Sequence, residues 1–185
     1  MLLLLHGTGG DESDMLPLGG ELDPEAALLS PRGKVAENGS ARFFRRFAEG
    51  VFDEEDVTRR AQELADFVEA AAARYEFAPE RVIAVGYSNG ANIAAAMLLL
   101  RPETLAAAVL FRAMVPLGTP PSSNLTGKRV LLSAGQDDPI IPVANVERLR
   151  QLLTTAGAEV TLKIQLSNHA LVSDDIVAAR TFLSA

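Results

Sequence analysis

The chain has 185 residues, with 24 acidic against 17 basic side chains and a formal net charge of −7; it suits one domain with one sizeable core, and the negative charge argues against a nucleic-acid partner. Hydrophobic residues make up 48% and charged residues 22%, an ordinary globular composition that argues against wholesale disorder. Because the chain contains no cysteine, disulfides, thiolate metal sites and a cysteine nucleophile are excluded.

An apolar run at residues 2–5 consists of four leucines and ends at His6. The run has no basic lead-in and is too short for a secretion signal or a membrane span. We therefore interpret it as the first β-strand, and we expect no membrane insertion and a cytoplasmic location.

Five further apolar runs predict strands, at residues 27–29, 82–85, 106–111, 130–132 and 160–166. The middle runs are nearly continuous, which is typical of strands covered by helices on both faces. The last run alternates apolar and polar residues, which favours a strand nearer the edge of the sheet.

Helical patterns lie between these runs. Residues 57–75 carry an apolar stripe at 3.6-residue spacing, after four acidic residues that suit a helix N-terminus. A second stripe covers residues 143–153 and is followed by Gly157 as a C′ residue, and a final helix is expected to start at an N-capping Ser173. The sequence thus predicts one α/β domain over residues 1–185, with a mostly parallel sheet of about six strands and helices on both faces.

The pattern G-x-S-x-G occurs at residues 86–90, between an apolar strand and a helical segment. Glycines two residues before and two after Ser88 allow a turn too sharp for larger neighbours. Such a turn holds the serine in a strained conformation above the carboxyl edge of the sheet, and the segment predicts a nucleophilic serine; a structural glycine turn is the alternative.

The first strand runs into a glycine-rich loop, HGTGG at residues 6–10. Phosphate binding is disfavoured because Glu12 breaks the dinucleotide pattern, no G-K-[ST] follows, and acidic residues lie nearby. The favoured interpretation is a loop that offers a backbone N–H to a developing oxyanion, with a plain tight turn as the alternative.

A serine hydroxyl needs a base to take its proton, and the chain has two histidines. His6 precedes the serine, whereas His169 follows the last predicted strand, as the hydrolase order Ser…Asp/Glu…His requires. We predict His169 as the base and interpret His6 as structural or substrate-facing.

The acid that orients the base is expected after the strand at residues 130–132, where Asp137 and Asp138 compete. Asp138 precedes a proline, which favours an extended conformation and fixes the turn, so it is the preferred candidate. Asp137 and a solvated acidic loop remain the alternatives. The acid would hold the imidazole tautomer and stabilise the imidazolium without itself becoming protonated.

Taken together, the motifs at residues 6–10, 86–90 and 135–142 and at His169 resemble the phospholipase/carboxylesterase family of α/β-hydrolases. This family is related to acyl-protein thioesterases and dienelactone-hydrolase-like enzymes, and the similarity is strongest to its bacterial branch of small carboxylesterases. Residues 30–33 and 38–44 extend the resemblance to nearly the whole chain.

The resemblance implies an α/β-hydrolase fold in which Asp138 is the acid and the backbone N–H groups of Thr8 and Asn89 bind the oxyanion. It implies no metal or organic cofactor, and frequently a homodimer. Family members usually have strands ahead of the H-G loop, so the N-terminal strands of the usual fold are expected to be missing and one sheet edge to be uncovered.

For the substrate, residues 32–52 are long for a connection and are expected to form a loop beside the pocket. Phe43, Phe44, Met114 and Val115 are the candidate pocket residues, with ordinary core contacts as the alternative. The predicted function is a serine hydrolase that cleaves short-chain or aryl carboxylic esters through Ser88, His169 and Asp138. Acyl-protein thioesterase or lysophospholipase activity is the enzymatic alternative, and a non-catalytic binding module the alternative of another class.

Overall fold

The computed structural model describes residues 1–185. In chain order the elements are β1 (Leu2–Leu5), α1 (Leu16–Leu22), β2 (Leu28–Leu29), β3 (Val35–Glu37), β4 (Ser40–Arg42), β5 (Arg46–Ala48), β6 (Val51–Phe52), α2 (Glu54–Tyr75), a 3₁₀ turn (Pro79–Arg81), β7 (Ile83–Tyr87), α3 (Asn89–Leu100), β8 (Ala107–Phe111), β9 (Arg129–Gly135), α4 (Val143–Thr155), β10 (Glu159–Gln165) and α5 (Ser173–Ser184).

Six strands form one parallel sheet in the order β10-β9-β8-β7-β1-β2. This confirms the six predicted strands and places the serine-bearing strand β7 beside β1. The alternating strand β10 lies at the edge, as its pattern indicates. At the other edge, β2 pairs with β1 at only two positions, so it covers half of the β1 edge.

Helices cover both faces of the sheet. Successive side chains of a strand point to opposite sides, and the buried strands present apolar side chains on both. Leu3 and Leu5 of β1 join the larger apolar cluster with α2, α3 and α4. Leu2 and Leu4 join the smaller cluster on the α1 and α5 side. The result is a three-layer α/β arrangement that matches the fold class predicted from the sequence.

The helix that follows the elbow is buried on nearly all sides. Eleven of the twelve residues of α3 are buried, because the helix lies between the sheet and α2. Its even distribution of apolar residues is typical of such a position. Its N-terminus is thereby fixed against the carboxyl ends of β1 and β7.

Residues 32–52 differ most from expectation. In place of a loop they form two short antiparallel hairpins, β3–β4 and β5–β6. Asn38 and Gly39 both have positive φ, and Gly50 supplies the positive φ of the second turn. An Asn-Gly pair is a strong hairpin signal, and it is the local reason why a long connection folds here.

The start of α5 also differs. The N-cap is Val172, one residue before the predicted Ser173, because the Asp175 carboxylate accepts the Val172 N–H at 2.8 Å and closes the first turn. Gly157 does follow α4 with a φ of +102°, as predicted. None of the helices combines the length and apolar character needed to cross a bilayer.

Candidate active site

Ser88 lies at the turn between β7 and α3 with a φ of +52°, a conformation that non-glycine residues rarely adopt. A Cβ atom at Gly90 would lie 1.9 Å from the Leu5 carbonyl oxygen, and one at Gly86 would lie 2.6 Å from the Gly90 carbonyl oxygen. Both obstacles are backbone atoms. The packing of α3 against β1 therefore requires glycine at 90, and the close turn from β7 into α3 requires glycine at 86.

Three polar side chains meet at the carboxyl edge of the sheet. Ser88 Oγ lies 3.0 Å from His169 Nε2, and His169 Nδ1 lies 2.7 Å from Asp138 Oδ2. They follow β7, β10 and β9 respectively, and parallel strands end at the same edge. In such an array the imidazole donates its Nδ1 proton to the carboxylate and can accept a hydroxyl proton at Nε2.

The Asp138 carboxylate is fixed from two sides. Its Oδ1 accepts the backbone N–H groups of Ile140 at 2.8 Å and Ile141 at 3.1 Å, which leaves Oδ2 for His169. The Asp138 side chain is only 1% exposed. Asp137, the competing candidate, is exposed, and its backbone N–H donates to the Ser167 carbonyl. The structure thus brings Asp138, and not Asp137, to the histidine.

The backbone around His169 is held by two side chains from neighbouring strands. Arg112, which follows β8, donates through Nε to the Asn168 carbonyl at 3.2 Å and through Nη2 to the Ala170 carbonyl at 2.7 Å. The Tyr87 hydroxyl donates to the carbonyl of His169 itself at 3.0 Å. Burial raises the pKa of Tyr87 above its ordinary 10.0, so its hydroxyl remains a donor at neutral pH.

Arg112 is itself anchored by a buried ion pair. Its Nη1 and Nη2 donate to the two carboxylate oxygens of Asp175 at 2.9 and 2.7 Å, and both side chains are fully buried. Burial by itself would raise the pKa of Asp175, but hydrogen bonds from Arg112 and Ser133 hold it below its ordinary value. The ion pair links the end of β8 to α5 beneath the histidine loop.

Two backbone N–H groups border the space beside Ser88. Thr8 follows β1, and its N–H has no acceptor within the chain. Asn89 is the first residue of α3, where helical N–H groups lack intrahelical partners. Both residues line the same cavity as Ser88 and His169. This is the location in which the resemblance expects oxyanion donors.

The cavity that contains Ser88 and His169 has a volume of about 320 Å³. Of the four candidate pocket residues, Met114 lines it. Phe43 and Phe44 are buried in the larger core cluster, and Val115 packs against that cluster. None of these three side chains lines the cavity: the hairpin segment buries Phe43 and Phe44 in the core, and Val115, which follows β8, packs against the same core. In their place Phe52, Ile140 and Ile141 supply apolar lining.

His6 has a structural position. It is 1% exposed, its Nε2 accepts the Gly33 N–H at 3.0 Å, and its Nδ1 lies 2.6 Å from the Gly7 carbonyl oxygen. Both ring nitrogens are therefore engaged away from Ser88, and His6 fixes the glycine-rich loop to the segment at residue 33.

Two arginines in the cavity, Arg42 and Arg46, were not predicted from the sequence. They lie in β4 and β5, within the segment that was expected to be a loop. A signal existed, since the Asn-Gly pair at residues 38–39 predicts a hairpin that returns the chain towards its start. The hairpin places Arg42 against Thr8 of the glycine-rich loop.

The chain is similar to several known proteins. The model of the phospholipase/carboxylesterase family matches residues 43–185. The chain is 46% identical over 180 residues to the "Putative hydrolase MhqD" of Bacillus subtilis (strain 168), covering 97% of this chain and 90% of that protein. The crystal structure of the Bacillus cereus carboxylesterase is 47% identical with a TM-score of 0.97, covering 100% of this chain and 87% of that one.

A carboxylesterase from Mesorhizobium loti is 33% identical with a TM-score of 0.95, and the match covers 100% of this chain and 88% of that one. The family match extends over most of the chain and includes the segments that carry Ser88, Asp138 and His169. The chain is therefore a member of the phospholipase/carboxylesterase family of α/β-hydrolases.

Proposed function

We propose that this hydrolase cleaves short-chain or aryl carboxylic esters with Ser88 as nucleophile, His169 as general base and Asp138 as the orienting acid. The observation that carries the proposal is the continuous hydrogen-bonded array from Ser88 Oγ through the imidazole to Asp138 Oδ2. The elbow conformation of Ser88 and the free N–H groups beside it support the same assignment.

In the acylation step Ser88 Oγ attacks the ester carbonyl carbon while His169 Nε2 accepts the hydroxyl proton. The carbonyl oxygen becomes an oxyanion that the Thr8 and Asn89 N–H groups bind; one such donor is typically worth about 3 kcal/mol of barrier. The imidazolium then gives its proton to the leaving alcohol as the C–O bond breaks, which leaves an acyl-Ser88 ester.

Deacylation repeats these roles with water. His169 takes a proton from the water molecule, the hydroxide attacks the acyl carbonyl, and the carboxylic acid departs as Ser88 Oγ recovers its proton. Asp138 remains a carboxylate throughout, and its two backbone hydrogen bonds hold it in position to accept the hydrogen bond from Nδ1 of the imidazole.

The cavity favours small substrates. Its volume of about 320 Å³ lies near the lower end of the roughly 300–1,000 Å³ that is typical of ligand pockets. Charged side chains, Arg42, Arg46 and Glu49, share the lining with the apolar ones. A long acyl chain requires continuous apolar lining, so short acyl or aryl groups fit better.

A fluorophosphonate probe tests the nucleophile directly. We expect labelling of one residue, Ser88, detected by intact mass and peptide mapping. Labelling should disappear in Ser88→Ala and His169→Ala with an unchanged circular dichroism spectrum. Ser122→Ala is a matched control, because this serine is exposed and lies outside the cavity. Normal labelling of Ser88→Ala contradicts the assignment, and a wild type that resists the probe favours a non-catalytic binding module.

A substrate panel separates the remaining alternatives. 4-Nitrophenyl acetate, butyrate and palmitate vary the acyl length, and an S-butyryl thioester tests thioesterase activity. We expect kcat/KM to fall steeply between butyrate and palmitate. A preference for palmitate or for the thioester would move the function to the lysophospholipase or acyl-protein thioesterase type.

A further inference from the structure

Two guanidinium groups border the candidate active-site cavity. The Arg42 side chain is 3% exposed and the Arg46 side chain 27% exposed, and both line the space that contains Ser88. An arginine as deeply buried as Arg42 remains charged, because its guanidinium does not lose its proton in proteins. Its burial beside a nucleophile therefore needs a physical reason.

The hydrogen bonds of Arg42 within the chain use only some of the N–H donors of its guanidinium. Nε donates to the Phe44 carbonyl at 3.2 Å, and Nη1 donates to Thr8 Oγ1 at 2.5 Å. Nη2 has no acceptor within the chain, yet it is not sealed from solvent. Because Arg42 lines the cavity, Nη2 is available to a bound molecule. Its contact with Thr8 places it next to the candidate oxyanion donor.

Arg46 also has N–H donors that no acceptor within the chain uses. Its Nε donates to the Glu37 carboxylate at 2.9 Å, and neither of its terminal amino groups has an acceptor within the chain. Glu37 also lies 3.1 Å from Arg42 Nε. One carboxylate is thus shared between two guanidinium groups.

The shared carboxylate does not compensate both charges. Burial and then the neighbouring positive charge of Arg46 lower the pKa of Arg42, and Glu37 offsets only part of that effect. Glu49, the one acidic residue that lines the cavity, forms no ion pair with either arginine. A second anion between the free amino groups would relieve the repulsion between the two arginines.

We infer that the cavity takes esters that carry a free carboxylate, held by Arg42 and Arg46, so that the preferred substrates are half-esters of short dicarboxylic acids. The planar fork of a guanidinium matches a carboxylate in a bidentate manner, which favours this anion over a point charge. The inference rests on the proposed esterase function, because it assigns the substrate class of the same cavity.

The test compares two ethyl esters with acyl chains of four carbons. Monoethyl succinate ends in a carboxylate where ethyl butyrate ends in a methyl group, and hydrolysis of each is followed by proton release at constant pH. We expect wild type to show a higher kcat/KM for monoethyl succinate. Arg46→Gln should lower the ratio of the two kcat/KM values by about tenfold, the effect of losing one charge-assisted hydrogen bond.

Two further variants separate charge recognition from a general disturbance. Glu37→Gln removes the competing carboxylate and should raise the ratio, an opposite shift that structural damage would not produce. Arg45→Gln is the matched control, because Arg45 is exposed and pairs with Asp53 outside the cavity; its ratio should equal that of wild type. A wild-type preference for ethyl butyrate, or an Arg46→Gln ratio equal to wild type, overturns the inference.

A binding measurement keeps the substrate class testable if neither ester is hydrolysed. Ser88→Ala, which cannot form an acyl-enzyme, is titrated calorimetrically with each ester. Binding of monoethyl succinate that is weakened by adding Arg46→Gln supports the carboxylate site even if the esterase proposal fails. Equal binding of the two esters, or no binding of monoethyl succinate, overturns the carboxylate site whether or not the esterase proposal holds.

Discussion

Asp138 shows how one side chain can hold both a turn and a histidine. One of its carboxylate oxygens accepts two backbone N–H groups of the turn that it begins, and the other accepts from the imidazole. The turn therefore holds the carboxylate in place without help from the histidine. This division of oxygens explains why the residue before Pro139, and not its neighbour Asp137, faces His169.

Replacing Asp138 by asparagine tests its proposed role. The amide has nearly the same shape, but its NH₂ group can favour the wrong imidazole tautomer, so kcat should fall by about four orders of magnitude. Asp137→Asn should change kcat less than twofold, because that side chain is exposed. Steady-state kinetics with 4-nitrophenyl butyrate measure both values. The reverse ranking of the two variants would transfer the role to Asp137.

The positions of three polar residues can be predicted from the sequence where a motif determines the backbone. Ser88, His169 and Asp138 each follow an apolar strand, and the parallel sheet then determines that they end at one edge. Phe43 and Phe44 are predicted beside the pocket because the sequence pattern predicts a loop for their segment, and the structure buries both in the core. Which side of a hairpin faces a cavity depends on tertiary packing, and local composition carries no record of it.

At the scale of elements, the loop after β10 is held by its neighbours. Three consecutive carbonyls, those of residues 168, 169 and 170, accept hydrogen bonds from Arg112 or Tyr87. We expect these side chains to act as positioning residues, because their hydrogen bonds go to the backbone of the histidine and of the residues on both sides of it.

Tyr87→Phe tests this positioning with little risk to the fold. Loss of one hydroxyl should lower kcat by about tenfold and leave KM within twofold, since a misplaced base slows chemistry more than binding. The rate of fluorophosphonate labelling should fall in parallel with kcat. Tyr75→Phe is the control, because Tyr75 is 67% exposed. An unchanged kcat and labelling rate in Tyr87→Phe would leave the hydroxyl without a positioning role.

Element types were predictable where apolar periodicity was strong, as in α2 and α4, and less so where hydrogen bonds decide. The N-cap of α5 lies at Val172, one residue before the predicted position, because the Asp175 carboxylate accepts a hydrogen bond from the Val172 backbone N–H. The short helix α1 was missed, since its seven residues include two glycines and a proline, which are poor helix formers.

At the scale of the whole molecule, the parallel sheet could be predicted from the alternation of strands and helices, and the burial of charge could not. Arg112 precedes an apolar segment and gives no sign that it pairs with a carboxylate 63 positions later. Buried ion pairs depend on contacts between distant segments, so a local pattern cannot reveal them.

The Arg112–Asp175 ion pair leads to a prediction about stability in acid. The pKa of Asp175 is lowered in the folded state from an ordinary 3.8, so its contribution to the free energy of unfolding is present above pH 3.8 and is lost as the pH falls through the lowered value. The Tm of wild type should therefore drop steeply below about pH 4. Asp175→Asn should have a lower Tm at pH 7 and a smaller drop below pH 4. An equal drop in both proteins would show that other groups set the acid limit.

The separation of Ser88 and His169 by 81 positions has a consequence for the growing polypeptide. A ribosome releases the elbow, its strand and its helix long before the last strand and the loop that carries the base. Until that strand joins the sheet, the nucleophile has no partner to take its proton. Under the proposed mechanism an incomplete or truncated chain would be inactive, and the onset of hydrolysis in a translation reaction would mark the moment at which the sheet is complete.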